Sequence, residues 1–589
     1  MDLTQKDHDH SAKKNIEKWL HGSYDSATKE AIRHMEKEAP QELLDAFYTT
    51  LAFGTGGMRG IMGIGSNRIN VYTVRAATQG LANYLKKHPQ PGKKQAVFIS
   101  YDSRHHSRTF AEETAKVFAG NGFHVYLTKE LRPSPLVSFS CRDLNCSAAV
   151  LITASHNPAE YNGYKVYWSD GAQVLPPHDS GIIEEVNKIE DPAQVKSLAT
   201  LIHPMIEMVA DQVDDRYLEE GSALQLYPNE NRATGNRLKI IYTSLHGTGI
   251  TLVPQMLQRW GFEQVHLVNN QVIPDGNFST TPSPNPEEKE ALILGIEELL
   301  ALKGDILIAT DPDADRVGVA VAHQGRAVVL TGNQIACLCL DHICKALSEQ
   351  KRMPPNAAFI KTIATTELFK AICDNYDKPC INVSVGFKYV AEKINKWESS
   401  GAYTYIFGGE ESFGYLLGTI TRDKDGVLAS ALICEVALAA KNEGKTLVDK
   451  LYDLYTTYGI FSEGLRTVHF PETQEGKKQI TERMSSLRTK LPAEINGVPI
   501  AIVEDYLTQI KTEIKSGKTS PLHLTKSNVL LLWLEDGSKI MIRPSGTEPK
   551  IKLYGGTKDK SDRPTETAVQ HCQAKIDRLL DVTEKLLTS

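Results

Sequence analysis

The stretch Ala148-Ala149-Val150-Leu151-Ile152-Thr153-Ala154-Ser155-His156-Asn157-Pro158 passes without interruption from an apolar run into a polar turn. Such a run reads as a buried strand, and in open α/β sheets ligands bind at the carboxyl ends of strands. A serine hydroxyl exposed there can accept a phosphoryl group and later give it up, which divides one difficult transfer into two easier ones. Read alone, the same residues equally describe an Asn157-Pro158 turn capped by Ser155.

The surrounding sequence repeats one plan three times: a short apolar strand, a polar loop, an amphipathic helix and a second β-branched strand. The first unit has strand 97–99, loop 102–107, a helix near 110–119 stopped at Gly122, and strand 122–126. The second has strand 238–242, loop 244–249, a helix ending near Trp260-Gly261 and strand 264–268; the third has strand 358–361, loop 364–366, a helix to about Asp374 and strand 379–383. These units predict three α/β domains. Farther on, 530–534 and 539–543 flank an Asp536-Gly537 turn, a strong hairpin signal, and a strand at 551–554 with a helix over about 566–587 completes an α+β unit. The expected domain spans are 1–220, 221–340, 341–460 and 461–589, with a helical extension to about Ala46 and a largely helical 182–220.

A chain of 589 residues is too long for a single core. The apolar fraction of 41%, the charged fraction of 23% and the net charge of -6 are those of an ordinary globular protein and imply neither a nucleic-acid footprint nor a disordered tail. The longest apolar stretches, such as 429–440, are broken by polar residues and fall short of the ~20 that a membrane span needs. Residues 1–14 are polar and lack the apolar core of a secretory signal, so no membrane association and a cytoplasmic location are expected. The nine cysteines lack paired CxxC spacing and read as buried thiols in a reducing compartment.

Three more loops carry chemistry. Asp311-Pro312-Asp313-Ala314-Asp315-Arg316 follows the apolar strand 306–309 and places three carboxylates within five residues. A hard divalent cation such as Mg²⁺ would relieve their repulsion; the alternative is an acidic surface turn with Arg316 as counter-ion, and the EF-hand glycine and distant glutamate are absent. Gly408-Gly409-Glu410-Glu411-Ser412 follows strand 403–407 and offers groups suited to sugar hydroxyls, or else caps a helix. Arg543-Pro544-Ser545-Gly546-Thr547-Glu548-Pro549 combines a guanidinium, two hydroxyls and a glycine, enough to fork onto a phosphate, or else connects two strands. Arg59 in Gly54-Thr55-Gly56-Gly57-Met58-Arg59-Gly60 and Lys388 in Gly386-Phe387-Lys388 are further cationic candidates. Taken together, four domains each aim one loop at a shared cleft: a phosphoryl carrier, its metal, a sugar reader and a phosphate clamp.

TASHNP, DPDADR, GGEES and RPSGTEP resemble, in order, the four signature loops of the α-D-phosphohexomutase superfamily, and the start FGTGGMRG is most similar to its long phosphoglucomutase/phosphopentomutase branch. The resemblance implies an α/β fold of four domains around a central cleft, three topologically similar α/β domains with mixed sheets and a C-terminal α+β domain. It implies a phosphoserine at Ser155 that joins Asp311, Asp313 and Asp315 around Mg²⁺, and Lys165 as a proton carrier. Glu410 and Ser412 would contact sugar hydroxyls, and Arg543, Ser545, Gly546 and Thr547 would hold the phosphate that is not reacting. Arg59, Arg316 and Lys388 would add positive charge, with Arg104 and His156 as secondary candidates. The chain departs from the family at Gly414, where many members carry a histidine, at Pro312, which replaces a common glycine, and at Gly56, which replaces a frequent serine.

The implied reaction is a phosphosugar mutase reaction between glucose 1-phosphate and glucose 6-phosphate, with glucose 1,6-bisphosphate as intermediate and activator and with small sugar phosphates as partners. As a base, Lys165 needs a lowered pKa, expected from Arg59, the metal and partial desolvation. Phosphomannomutase, phosphopentomutase, glucose 1,6-bisphosphate synthase, a metal-dependent phosphatase and a non-catalytic sugar-phosphate sensor are the competing readings.

Overall fold

Four sheets in succession, each built by its own part of the chain, organise the computed structural model, which describes residues 3–54, 56–471, 474–545, 549–559 and 564–588, without the side chains of 3–9 and 474. The first sheet is mixed, in the order Gly57–Ile61, Tyr161–Trp168, Cys146–Ile152, Lys94–Tyr101, His124–Thr128, Ile206–Val209. Cys146–Ile152 is buried along its whole length and pairs parallel to Lys94–Tyr101 and antiparallel to Tyr161–Trp168. Its carboxyl end therefore delivers residues 153–158 to one edge of the sheet. Helices packed on both faces explain the unbroken apolar run.

The second sheet, Arg326–Leu330, Val317–His323, Ile306–Thr310, Ile240–Thr243, Val265–Leu267, and the third, Cys380–Val383, Ala357–Thr362, Thr404–Gly409, Tyr415–Leu417, are also mixed. The fourth is antiparallel, runs from Ile460–His469 to Thr519–Pro521, and carries the helices Gln474–Thr489 and Glu566–Thr588. Its hairpin turn lies at Asp536-Gly537, where Gly537 has φ +81°. The expected three α/β domains and C-terminal α+β domain are thus present.

Three helices, Leu3–His21, Ser26–Glu38 and Pro40–Phe47, form the N-terminal extension, whose Trp19 and Tyr24 pack on Tyr72 of the first domain. Residues 182–220 are less helical than expected. Between the helices His178–Asn187 and Asp211–Ser222, the strand Ile206–Val209 joins the sheet edge beside His124–Thr128. Cuts at 220 and 340 would pass through the helices Asp211–Ser222 and Gly332–Glu349, whose continuous hydrogen bonding makes each one unit. A single core spans the second and third sheets, and the helix Gly426–Asn442 is buried within it over most of its length. No described helix is long and apolar enough to cross a membrane. The nine cysteines are free, and all but Cys380 are buried.

Candidate active site

Ser155 sits just beyond the strand Cys146–Ile152 with φ +52°, a left-handed conformation costly for a residue with a β-carbon. Two contacts hold it. Thr153 Oγ1 accepts the Ser155 N–H at 2.8 Å, and the Arg104 guanidinium donates to four carbonyls of the same loop. These are Ser155 O at 2.5 Å, Asn157 O at 2.5 Å, Pro158 O at 2.8 Å and Tyr161 O at 3.1 Å. Buried and paired with Asp102, Arg104 is committed to the backbone of the turn and does not line the cleft. Arg59, on the exposed side of Gly57–Ile61, donates to Asn157 Oδ1 at 2.8 Å. His156 Nδ1 lies 3.2 Å from Ser155 Oγ; burial and then the nearby Arg316 and Arg59 push its pKa well below the ordinary range, so its ring is neutral.

The metal loop bridges the antiparallel strands Ile306–Thr310 and Val317–His323. Asp311, Asp313 and Asp315 are buried with one carboxylate oxygen of each within 4.8 Å of the others. Asp311 Oδ2 accepts the Ser155 hydroxyl at 2.8 Å, while its Oδ1 accepts the N–H groups of Asp315 and Arg316 at 3.0 Å. Asp313 Oδ2 accepts Lys165 Nζ at 2.5 Å and Ser134 Oγ at 3.0 Å. Asp313 Oδ1 and Asp315 Oδ1 are buried with no hydrogen-bond partner among the described residues. Orphaned, closely grouped carboxylate oxygens are the donor set a hard divalent cation takes, so the residues fit a metal. Burial, reinforced by Asp313 and Asp315, raises Asp311 well above the usual carboxylate range. Burial opposes ionisation of Asp315 too, but Lys165, Lys424 and Arg316 outweigh it and hold that carboxyl far below its usual value.

Lys165, on Tyr161–Trp168, reaches Asp313 at 2.5 Å and Asp315 at 3.1 Å. Burial lowers its pKa, yet these two carboxylates raise it more, and the net effect is upward. The lowering expected from sequence is not found, because the flanking charges here are negative rather than positive. Arg316 is engaged by Glu287.

In the third domain Glu410 is buried at the end of Thr404–Gly409, its Oε1 accepting the Gly386 N–H at 3.0 Å and its Oε2 3.5 Å from Ser412 Oγ. Burial raises its pKa to about 7, against the opposing pull of Lys424. Lys388 begins the helix Lys388–Ser400 and lies over the Tyr389 ring, 5.4 Å from its centre; burial lowers its pKa. Sequence reasoning missed Lys424. Its ammonium stands 3.2 Å from Asp315 and 3.6 Å from Asp423, and Asp423 also accepts Tyr167 Oη and Gln173 Nε2 at 3.1 and 2.7 Å. The available signal was the charged run Arg422-Asp423-Lys424-Asp425 set between the buried strand Tyr415–Leu417 and the buried helix Gly426–Asn442.

The fourth domain brings Arg543, at the end of Lys539–Pro544, together with Lys550 and Lys552. The Ser545 N–H donates to Lys550 O at 2.8 Å, and Gly546 and Thr547 lie outside the described residues. All four domains line one cleft of about 990 Å³: His156 and Gln173 from the first, Arg316 from the second, Lys388, Glu410, Ser412 and Lys424 from the third, Arg543 and Lys552 from the fourth.

A serine hydroxyl beside a cation-ready carboxylate triplet, buried directly behind the His156 and Arg316 walls of a cleft rich in positive charge, is an arrangement suited to phosphoryl transfer. Three family models match in chain order: phosphoglucomutase/phosphomannomutase alpha/beta/alpha domain I over residues 50–193, domain II over 215–325 and domain III over 331–458. The chain belongs to the phosphoglucomutase/phosphomannomutase family. Curated relatives include a phosphoglucomutase of Staphylococcus epidermidis, 36% identical over 91% of this chain and 95% of the relative, and one of Staphylococcus aureus, 36% identical over 91% and 94%. Among solved structures, parafusin from Paramecium, a phosphoglucomutase in an open form, superposes with a TM-score of 0.67 at 16% identity, covering 92% of this chain and 96% of its own. A phosphoglucomutase/phosphomannomutase family protein of Burkholderia thailandensis gives 0.65 at 17% identity, covering 92% and 97%. At these identities the structures establish the shared fold.

Proposed function

We propose that this mutase interconverts α-D-glucose 1-phosphate and glucose 6-phosphate through a phosphoserine at Ser155 and a glucose 1,6-bisphosphate intermediate. The observation that carries the reading is the Ser155 hydroxyl set 2.8 Å from Asp311 Oδ2, beside the His156 and Arg316 walls of the four-domain cleft. In the first half-reaction the bond from Ser155 Oγ to phosphorus breaks as the free sugar hydroxyl bonds to phosphorus, and the proton lost by the sugar hydroxyl is balanced by one gained at Ser155 Oγ. The bisphosphate then reverses, and its other phosphoryl group returns to Ser155 by the same exchange. Mg²⁺ is the cation proposed for Asp311, Asp313 and Asp315, completed by an oxygen carried on Ser155, and when bound it neutralises charge on the phosphoryl oxygens.

Alignment and fixed charge do most of the work in such a transfer. Lys165 and Lys424, both on Asp315 Oδ2 at 3.1 and 3.2 Å, are the proton carriers in this reading; the carboxylates beside them raise their pKa values and keep them protonated, so they act first as proton donors to the departing Ser155 oxygen and are recharged by the proton of the sugar hydroxyl. Glu410 and Ser412 read the sugar hydroxyls. Arg543, Ser545, Gly546 and Thr547, aided by Lys388, clamp the idle phosphate, and Arg59 fixes the turn through Asn157. The preference for glucose is supported by the curated relatives named phosphoglucomutase. Free glucose 1,6-bisphosphate is the expected activator because it can phosphorylate Ser155. Sugar phosphates are the proposed partners, and nine free thiols suit a reducing cytoplasm.

The test couples intact-mass analysis to catalysis. The purified chain is expected to carry one phosphoryl group on Ser155 and, with Mg²⁺ and a trace of glucose 1,6-bisphosphate, to convert glucose 1-phosphate to glucose 6-phosphate; Ser155→Ala is expected to do neither. A phosphoryl group mapped to another residue, or faster turnover of mannose or pentose 1-phosphates, would refute the site or the substrate respectively.

A further inference from the structure

Immediately after the strand Tyr161–Trp168 the chain turns at Gly171, φ +81°, and runs back beside it, with Trp168 N–H donating to Ala172 O at 2.8 Å and Val174 N–H to Val166 O at 3.2 Å. Gln173 thereby pairs antiparallel with Tyr167, and residues opposed in this way present their side chains on one face. Both reach Asp423 Oδ2 of the third domain, Tyr167 Oη at 3.1 Å and Gln173 Nε2 at 2.7 Å. Asp423 is buried and also faces the Lys424 ammonium at 3.6 Å.

A carboxylate only accepts hydrogen bonds, so this contact fixes which end of the Gln173 amide is which: nitrogen toward Asp423, oxygen away from it. That oxygen, Oε1, accepts no hydrogen bond from any described residue, and it is not among the atoms shut off from solvent. Gln173 itself is half-buried in the cleft wall that the first domain supplies. Gly56 gives the oxygen room. A β-carbon at position 56 would lie 3.1 Å from Gln173 Oε1, closer than ordinary van der Waals contact, so the serine frequent there in the family would crowd the amide.

The group left open to the cleft is therefore a neutral acceptor held in one direction. A phosphate dianion offers it no proton, and the cleft already holds Arg316, Lys388 and Arg543 for phosphates. A sugar hydroxyl does offer a donor. We propose that Gln173 is a substrate-binding residue whose Oε1 accepts a hydrogen bond from one ring hydroxyl of the sugar, with Asp423 positioning it by holding Nε2. The inference rests on the sugar-phosphate reading above and adds a hydroxyl reader on the first domain to Glu410 and Ser412 on the third.

Calorimetric titration of glucose 1-phosphate and its 2-, 3- and 4-deoxy analogues, with Mg²⁺, into full-length Ser155→Ala and Ser155→Ala/Gln173→Met proteins tests this. Methionine keeps the length of the side chain and removes the acceptor. With Gln173 in place, one analogue is expected to bind about five- to tenfold more weakly than glucose 1-phosphate because it lacks the hydroxyl that Gln173 accepts. Gln173→Met is expected to weaken glucose 1-phosphate by the same factor and to leave that analogue within about twofold, so the penalty vanishes at one ring position and persists at the others. Penalties unchanged at all three positions, or a uniform loss for every ligand as a misfolded wall would give, overturn the assignment of Gln173 and leave the sugar-phosphate reading standing. No saturable binding of any of these ligands to Ser155→Ala overturns that reading and this inference with it.

Discussion

Lys424 runs so close to Gly414 that a β-carbon on the glycine would lie 2.0 Å from Lys424 Cδ. The bare backbone at Gly414 lets this side chain pass inward and place its ammonium 3.2 Å from Asp315. A histidine grown from position 414 would need the space that Lys424 fills. The departure seen in the sequence at Gly414 is therefore paired with a lysine ten residues on, which supplies a proton-bearing group to the same carboxylates.

Gly414→Ala is accordingly expected to displace Lys424 and lower kcat by about 100-fold, a loss typical of misplaced catalytic groups. Lys424→Met should fall by a similar factor while KM changes less. Steady-state kinetics of both variants decide it: a Gly414→Ala enzyme with wild-type kcat would show that Lys424 is not needed where it stands.

Arg104 is a positioning residue, since its guanidinium satisfies four carbonyls around the strained Ser155. Lysine cannot reproduce that planar fork. Arg104→Lys is expected to cost about 2–3 kcal/mol of stability, measured by urea unfolding, and to slow phosphorylation of Ser155 in single-turnover experiments. Unchanged phosphorylation kinetics would remove Arg104 from the assembly of the nucleophile.

Glu410, with its pKa raised to about 7 chiefly by burial, titrates in the working range. Above that value it is a carboxylate that can accept two sugar hydroxyls; below it, one oxygen carries a proton. KM for glucose 1-phosphate is expected to rise as pH falls from 8 to 6, and Glu410→Gln to flatten this dependence. Parallel pH profiles for the two enzymes would assign the titration to another group, such as the substrate phosphate.

Glu367 links the third and fourth domains, accepting Lys361 at 2.9 Å and Lys539 at 2.8 Å. Burial opposes its ionisation, but the two lysines prevail and hold its pKa at about 2. A depressed carboxyl stabilises the fold above its unfolded value and loses that contribution as pH falls from the ordinary carboxylate range through about 2. Glu367→Gln is expected to cost about 3 kcal/mol at neutral pH, because two lysines lose their counter-charge, and to reduce the acid sensitivity of unfolding between pH 4.5 and 2. Equal acid sensitivity in both proteins would contradict the assignment.

Mg²⁺ is expected to raise the unfolding temperature, with a stabilisation of about 2.7 kcal/mol at a hundredfold excess over Kd. Asp313→Asn should lose most of this shift, since Asp313 Oδ1 is one of two orphaned oxygens in the carboxylate triplet. A Mg²⁺ shift that survives in Asp313→Asn would place the cation elsewhere.

Much of this architecture was determined by the sequence alone. Alternating apolar strands and amphipathic helices are local patterns, so the three α/β units, the 536–537 hairpin and the C-terminal helix could be read directly. The loops at strand ends carried their chemistry in consecutive residues, and Ser155 with the three aspartates needed no tertiary contact to be singled out. The tertiary structure decided what depends on residues far apart in the chain. It tied Arg104, a secondary candidate in the sequence, to the turn backbone, turned the pKa of Lys165 upward by placing it between two carboxylates 148 and 150 residues away, and found Lys424 behind a glycine. Charge acts through distance in space, and sequence separation carries no record of that distance until the sheets are stacked and the loops meet.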